Sequence, residues 1–182
     1  MTSVRFCLFD TAIGRCGIAW GAHGVVAVQL PEANDTRTRL RMLRGCPGAS
    51  EASPEGEVAN AIDAIAALLR GEDADLSGIV LDPSGVSEFE RRVYAIARAI
   101  PRGATLTYGE VAQRLGDASL ARAVGQALGR NPFAPVVPCH RVLAANGRIG
   151  GFSAQGGAGL KARMLLAERA RVGDAPSLFD EP

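Results

Sequence analysis

Apolar and polar positions fall into short, turn-separated runs at the start of the chain and into helical repeats further on. VRFCLFD (4–10) reads as a strand. A turn at 11–14 follows, then a second strand through Cys16, Ile18 and Trp20. Gly21-Ala-His-Gly24 makes another turn before VVAVQL (25–30). Runs of this length between turns predict an antiparallel meander. Two helices follow. The second is the clearer, because Val58, Ile62, Ile65 and Leu69 recur at helical spacing and Gly71 stops them. Residues 71–86 are acidic and rich in Gly, Pro and Ser, which predicts a linker. The expected division is therefore an α/β domain over 1–86, a second domain over 87–170, and a flexible tail over 171–182.

The pattern sharpens after residue 87. Ser87 and Glu90 form an S-x-x-E capping signal ahead of a helix that would bury Phe89, Val93, Ile96 and Ile100; Pro101 and Gly103 end it. Thr107 and Glu110 repeat the signal ahead of Val111, Ala112 and Leu115. A tight turn at Gly116-Asp117 leads to a helix expected over 118–129. A short helix, a tight turn and a second helix make a helix-turn-helix layout. In that last helix Leu120, Val124 and Leu128 face inward. The other face carries Ala118, Ser119, Arg122, Gly125, Gln126 and Gly129, bare except for one arginine. Each glycine costs about 1 kcal/mol of helix stability against alanine, so two on the outward face point to close approach of something large. Beyond it, 131–143 is extended and stiffened by prolines. Asn146-Gly147 predicts a hairpin over 141–152, and a last helix is expected over 160–170.

Composition refines this picture. The 182 residues are 47% hydrophobic, enough for real cores. No apolar run approaches the roughly 18–20 residues that span a bilayer, and the N-terminus lacks the pattern of a secretory signal. Cys7, Cys16, Cys46 and Cys139 form no CxxC pair and no Cys/His cluster, so a reduced, cytoplasmic compartment and no metal site are expected. The formal net charge of +1 hides an asymmetry. Residues 1–86 hold seven arginines against eleven acids, a net of −4. Residues 87–172 hold thirteen basic residues against five acids, a net of +8. The last ten residues carry three acids. A basic middle block is a generic surface for a polyanion such as nucleic acid, although a merely solvated basic face reads the same way.

The candidate chemistry sits in one string. Cys139-His140 follows prolines at 132, 135 and 138, which fix backbone angles and hold the side chains in set directions. A thiol becomes a nucleophile when a nearby base or cation favours the thiolate, and a third, acidic group can orient that base. Glu168 is the candidate acid. A bare Cys-His pair is more often inert packing than a site.

The longer string is more specific. Pro138-Cys139-His140-Arg141-Val142 resembles the active-site motif of the O6-alkylguanine-DNA alkyltransferases. The segment from Ile100-Pro101 through Thr107-Tyr108-Gly109-Glu110-Val111-Ala112 is similar to that family's approach to its first DNA-binding helix. Ala121-Arg122-Ala123-Val124-Gly125 resembles its recognition helix. Asn131-Pro132 and the block Gly147, Gly150, Gly151, Ser153, Lys161, Leu165, Leu166 and Glu168 extend the match over about 87–170. The first 86 residues resemble it only loosely.

The resemblance implies a ribonuclease-H-like N-terminal domain with a three-stranded antiparallel sheet and helices, and a mainly helical, winged helix-turn-helix-like C-terminal domain. It implies direct-reversal DNA repair: one alkyl group moves from O6-alkylguanine in flipped-out DNA to Cys139, once per molecule, with O4-alkylthymine a candidate second substrate. By that likeness His140 deprotonates Cys139 through a water, Glu168 orients His140, and Asn131 pins the turn bearing the cysteine. Arg122 fills the gap left by the extruded base, in a DNA surface with Ser119, Ala121, Gly125 and Gln126. Tyr108 meets guanine N3. Amides around Phe152 and Ser153 meet O6, the Val142 carbonyl meets the exocyclic amine, and Lys161, the one lysine of the chain, supports the pocket. No cofactor is implied; the partner is double-stranded DNA, and the protein is a monomer.

Phe152 stands where many members have tyrosine, and 154–160 is about two residues longer than in some relatives. Cys7, Cys16 and His23 do not fall where some relatives hold zinc. Two other classes compete: a module that binds alkylated bases without chemistry, and a papain-type Cys-His hydrolase, which leaves the helix-turn-helix without a role. In the tail, Ser177-Leu178-Phe179 resembles the end of peptides that bacterial replication proteins insert into the sliding clamp, with Ala175 where glutamine is usual.

Overall fold

The computed structural model describes residues 3–170 and 172, which divide into two compact units. Of the described residues, the first holds those up to Ser87 together with Asn131–Val137, and the second holds Glu88–Arg130 with those from Pro138 onward. The linker expected over 71–86 belongs to the first unit, and so does a segment expected in the second. Among the described residues no helix is long and apolar enough to cross a membrane.

In the first unit, β1 (Arg5–Thr11), β2 (Gly14–Gly21) and β3 (Gly24–Gln29) form the antiparallel meander that the turn-separated runs predict. Gly14 and Gly24 take positive φ (122° and 128°) at the two turns, where a side chain would be strained. The sheet has a fourth strand that the pattern does not announce. β4 (Ser50–Glu51) pairs parallel with β1, giving the order β3-β2-β1-β4, so the sheet is mixed rather than three-stranded and antiparallel. Two residues carry no period, so β4 exists only because α1 (Asp35–Gly45) returns the chain to that edge. Asn34 caps α1 by accepting from the Arg37 amide at 2.9 Å. α1 lies so close to β2 that a Cβ at Gly17 would stand 2.9 Å from Met42 Cε. Phe6, Ala19 and Met42 form a buried cluster there. α2 (Gly56–Leu69) buries Ala61, Ile65, Leu68 and Leu69, and Gly71 beyond it has φ 85°.

The free edge of β3 is covered. Val25 donates to Val80 O at 2.9 Å and accepts from the Asp82 amide at 2.8 Å, in a parallel bridge with Leu81. Further along, Val28 donates to Pro132 O at 2.7 Å. The acidic "linker" and the proline-rich segment thus satisfy an edge that would otherwise invite a foreign strand.

The second unit contains α3 (Glu88–Arg98), β5 (Leu106–Thr107), α4 (Tyr108–Arg114), α5 (Ala121–Gly129), β6 (Val142–Leu143) and α6 (Gly157–Ala167). α3 buries Val93, Tyr94 and Ala97, and Tyr94 donates its hydroxyl to Ala127 O at 2.9 Å, tying α3 to α5. α4 opens on a capping box. Thr107 Oγ1 accepts from the Glu110 amide at 3.2 Å, and Glu110 accepts from the Thr107 amide at 2.6 Å. The helix expected over 118–129 is divided: a 3₁₀ turn (Ala118–Leu120), capped by Asp117, precedes α5. The Asp117 carboxylate accepts from the amide and hydroxyl of Ser119, and this local competition tightens the first turn.

The hairpin expected over 141–152 does not form. Asn146 and Gly147 do make the tight turn, with φ of 61° and 71°, and Ala144 donates to Arg148 O at 2.8 Å. However, β6 pairs with β5 in parallel (Leu106↔Val142, Thr107↔Leu143) instead of with residues after the turn. The turn chemistry is local, whereas the strand partner is set by packing far along the chain.

Candidate active site

The site lies within the second unit. Cys139, His140 and Arg141 form one 3₁₀ turn between Pro138 and β6, and all three are buried. A cavity of about 170 Å³ is lined by Tyr108, Gly125, Leu128, Gly129, Cys139, Gly151, Phe152, Ser153 and Lys161. Tyr108 reaches it from the first residue of α4, which the capping box fixes. Gly125 and Gly129 reach it from α5, where a Cβ at Gly125 would lie 3.9 Å from the Tyr108 ring. Phe152 and Ser153 come from the loop before α6, and Lys161 from α6 itself. A small α5 face therefore leaves the room that the cavity needs.

The two residues after the cysteine belong to a buried polar cluster. His140 is fully buried, and its Nε2 lies 2.8 Å from Glu168 Oε1. Glu168 follows the last residue of α6 and is 3% exposed. Arg141 donates from Nε to Glu168 Oε2 and from Nη2 to Oε1, each at 2.9 Å, and from Nη1 to Ile100 O at 2.7 Å. Burial alone would raise the Glu168 pKa. The hydrogen bonds from His140 and Arg141 outweigh it and hold the carboxyl at about 2. Burial pushes the His140 pKa down, against the pull of Glu168, so the ring is held toward its neutral form.

The contact between Nε2 and an ionised Glu168 selects one tautomer of the neutral ring. An ionised carboxylate only accepts, so Nε2 carries the ring hydrogen and donates it. Nδ1 is then the lone-pair nitrogen. It is buried and has no hydrogen-bond partner among the described residues. A neutral imidazole with an unengaged basic nitrogen, one residue from a thiol, can take a proton from that thiol directly or through a water.

Lys161 is 1% exposed and donates to Val142 O at 2.7 Å, with Gly151 O at 3.5 Å. Its ammonium also lies 5.7 Å from the Tyr108 ring centroid and 6.0 Å from that of Phe152. Burial lowers its pKa, and the charge of a Cys139 thiolate opposes that shift. Burial raises the Tyr108 pKa and the same charge adds to the rise, so Tyr108 stays a hydroxyl donor.

Of the other residues singled out from the sequence, Ser119, Arg122 and Gln126 are exposed and Ala121 is half-buried. Asn131 belongs to the first unit. Its Nδ2 donates to Val137 O at 2.8 Å and its Oδ1 accepts from the Phe133 amide at 2.9 Å, closing the loop that runs into Pro138-Cys139. The residue that the sequence reading left without a role is Arg141. Its signal was there: an arginine inside the apolar run VVPCHRVL has to find a buried anion. Among the described residues no group of three or more His, Cys, Asp or Glu side chains is placed to hold a metal ion, and none of the four cysteines is in a disulfide.

A family model described as "6-O-methylguanine DNA methyltransferase, DNA binding domain" matches residues 88–170. A methylated-DNA–protein-cysteine methyltransferase of Mycobacterium bovis is 38% identical, covering 97% of this chain and 99% of its own. The chain belongs to the methylated-DNA–protein-cysteine methyltransferase family. A relative of that name from Methanothermobacter thermautotrophicus is 40% identical over 84% of this chain and 78% of its own length. The crystal structure of Mycobacterium tuberculosis OGT in complex with DNA superposes with a TM-score of 0.73 at 30% identity, covering 97% of this chain and 99% of that one. The mixed α/β architecture described above is thus that of this methyltransferase family.

Proposed function

We propose that this protein repairs DNA by direct reversal, moving the alkyl group of O6-alkylguanine to Sγ of Cys139, one group per molecule. The observation that carries this reading is Cys139 in a cavity wall, next in sequence to a buried His140 whose Nε2 lies 2.8 Å from Glu168 Oε1. Cys139 passes its proton to His140 Nδ1 through a water. The thiolate attacks the alkyl carbon, the C–O6 bond breaks, and the guanine leaves as an anion that takes up a proton. The hydroxyl of Tyr108 at N3 and amides near Phe152 and Ser153 at O6 offset the developing charge. The Val142 carbonyl, which already accepts from Lys161, has a second lone pair for the exocyclic amine. The thioether product is inert, so no turnover follows.

A stacked base keeps its O6-alkyl group away from a buried thiol, so the nucleotide is flipped into the pocket. α5 supplies the approach. Its exposed face is small except for Arg122, which fills the gap in the duplex, and Ser119, Ala121, Gly125 and Gln126 flank it at the minor groove. The N-terminal domain is read as ribonuclease-H-like and the C-terminal domain as winged helix-turn-helix-like, acting as a monomer on DNA in the cytoplasm. Ser177, Leu178 and Phe179 lie outside the described residues. They remain a candidate anchor for the sliding clamp, to be tested by calorimetry of the clamp with the unaltered protein and a Leu178→Ala, Phe179→Ala variant.

The main test is to mix the protein with a duplex containing O6-methylguanine and weigh the peptide that includes Cys139. A gain of one methyl group is expected, with Cys139→Ala inactive but still binding DNA, and with Cys7, Cys16 and Cys46 each replaceable. Tight binding at unchanged mass would instead favour a module that marks alkylated bases for other repair.

A further inference from the structure

We infer that Arg141 is a positioning residue for the alkyl transfer: its guanidinium locks the Glu168 carboxylate so that His140 presents Nδ1 as the basic nitrogen. This rests on the alkyl-transfer reading above and adds to it the group that decides which way the proton runs.

The geometry places the Arg141 guanidinium on the Glu168 carboxylate. Its three nitrogens each have a partner: two on the two oxygens of Glu168 and one on Ile100 O, at the turn after α3. Arg141 is 8% exposed, so this is not a surface pair that solvent could replace. Glu168 Oε1 is shared between His140 Nε2 at 2.8 Å and Arg141 Nη2 at 2.9 Å, while Oε2 goes to Arg141 Nε. The guanidinium fork thereby fixes the plane of the carboxylate, and that plane sets the direction of its bond to the imidazole. One side chain ties together the cysteine turn, the turn after α3 and the end of α6.

The consequence for the proton follows from counting charges. A buried carboxylate without a cation takes up a proton. A protonated Glu168 could donate to Nε2, and the ring hydrogen would then sit on Nδ1. That tautomer has no lone pair on Nδ1, and His140 would stop acting as a base there. If Glu168 stayed ionised without Arg141, the carboxylate would draw a second proton onto the ring, with the same loss. The charged groups that bear on His140 are Glu168 at the end of α6, Lys161 on α6 and Arg141 beside it. Both cations oppose protonation of the ring, but only Arg141 also touches the carboxylate.

The test uses the two histidines of the chain, His23 and His140, labelled with ¹⁵N in the full-length unreacted protein. His23, on an exposed turn, serves as the internal reference. In the unaltered protein His140 is expected as a neutral ring with hydrogen on Nε2 at pH 7. Arg141→Met is expected to give either the Nδ1–H tautomer or a ring that titrates at higher pH. It should slow transfer at neutral pH roughly 10- to 100-fold, a part of what a general base supplies. The limb of the pH–rate profile should shift in step with the ring. Arg141→Lys keeps the charge without the fork and should lie between the two. If Arg141→Met does not fold, Arg141→Lys decides alone. A folded variant with an unchanged tautomer and an unmoved pH limb would overturn the proposal, even if it were less stable. Failure of the unaltered protein to gain mass at Cys139 would instead sink the functional reading, and the imidazole spectrum reports on Arg141 in either case.

Discussion

Lys161 donates from its ammonium to the carbonyl of Val142 at 2.7 Å, from a position only 1% exposed to solvent. The single lysine of the chain is thus a buried cation close enough to Cys139 for their charges to interact. Two magnitudes oppose each other here. A hydrogen bond from a charged donor contributes about 1.5–3 kcal/mol. Burying an ammonium costs several kcal/mol, and burial lowers its pKa for that reason. Lys161→Met should therefore change stability by only about 1 kcal/mol in urea unfolding, while slowing transfer from free O6-benzylguanine by about 10-fold or more. A large stability loss with an unchanged rate would make Lys161 a packing residue.

Arg122 is exposed on the small face of α5. If it holds the gap left by a flipped nucleotide, it acts only when there is a duplex to open. Arg122→Ala should slow repair of duplex DNA by about 10- to 100-fold, the range of a few kcal/mol of unstacking. Reaction with free O6-benzylguanine should hardly change. Equal slowing of both reactions would assign Arg122 a structural role.

Acid should destabilise this protein through the cluster behind the cysteine. Glu168 has its pKa lowered from 4.5 to about 2, so its contribution is fully present above 4.5 and is lost as pH falls toward 2. By linkage this amounts to about 3 kcal/mol. The pKa of His140 is also lowered, from 6.5, so the unfolded chain binds the proton more readily and stability declines as pH drops below 6.5. Both effects have the same sign. Urea midpoints followed from pH 7 downward should fall steadily, and Glu168→Gln should flatten the part below 4.5. An unchanged slope in Glu168→Gln would show that other carboxylates govern acid unfolding.

Gly24 has φ 128°, and a Cβ there would stand 2.6 Å from Val80 O, the acceptor for the Val25 amide. Gly24→Ala should cost about 2 kcal/mol or more, from backbone strain of roughly 1–3 kcal/mol together with displacement of the strand-like segment at 80–82. Hydrogen exchange at Val25 and Asp82 should speed up before the rest of the sheet. Protection at those amides equal to that in the unaltered protein would show that the segment accommodates the methyl group.

What the sequence determined by itself was whatever depends on near neighbours. Short apolar runs between turns marked β1, β2 and β3. The side chains of Thr107 and Glu110 set the start of α4, and Asn146-Gly147 set a turn with both residues at positive φ. The string around Cys139 pointed to the chemistry through its resemblance to a family motif, which is legible because its residues are adjacent. Tertiary structure decided the pairings between distant residues. The partner of β6 is β5 rather than the far side of its own turn, and β4 is a strand only because an edge of β1 was free. The edge of β3 recruits 80–82 and Pro132 because unpaired backbone groups at a sheet edge need partners. Arg141 meets Glu168 across 27 residues, and no local pattern encodes that meeting. A buried guanidinium must find an anion, but only the closing of α6 onto the cysteine turn decides which one.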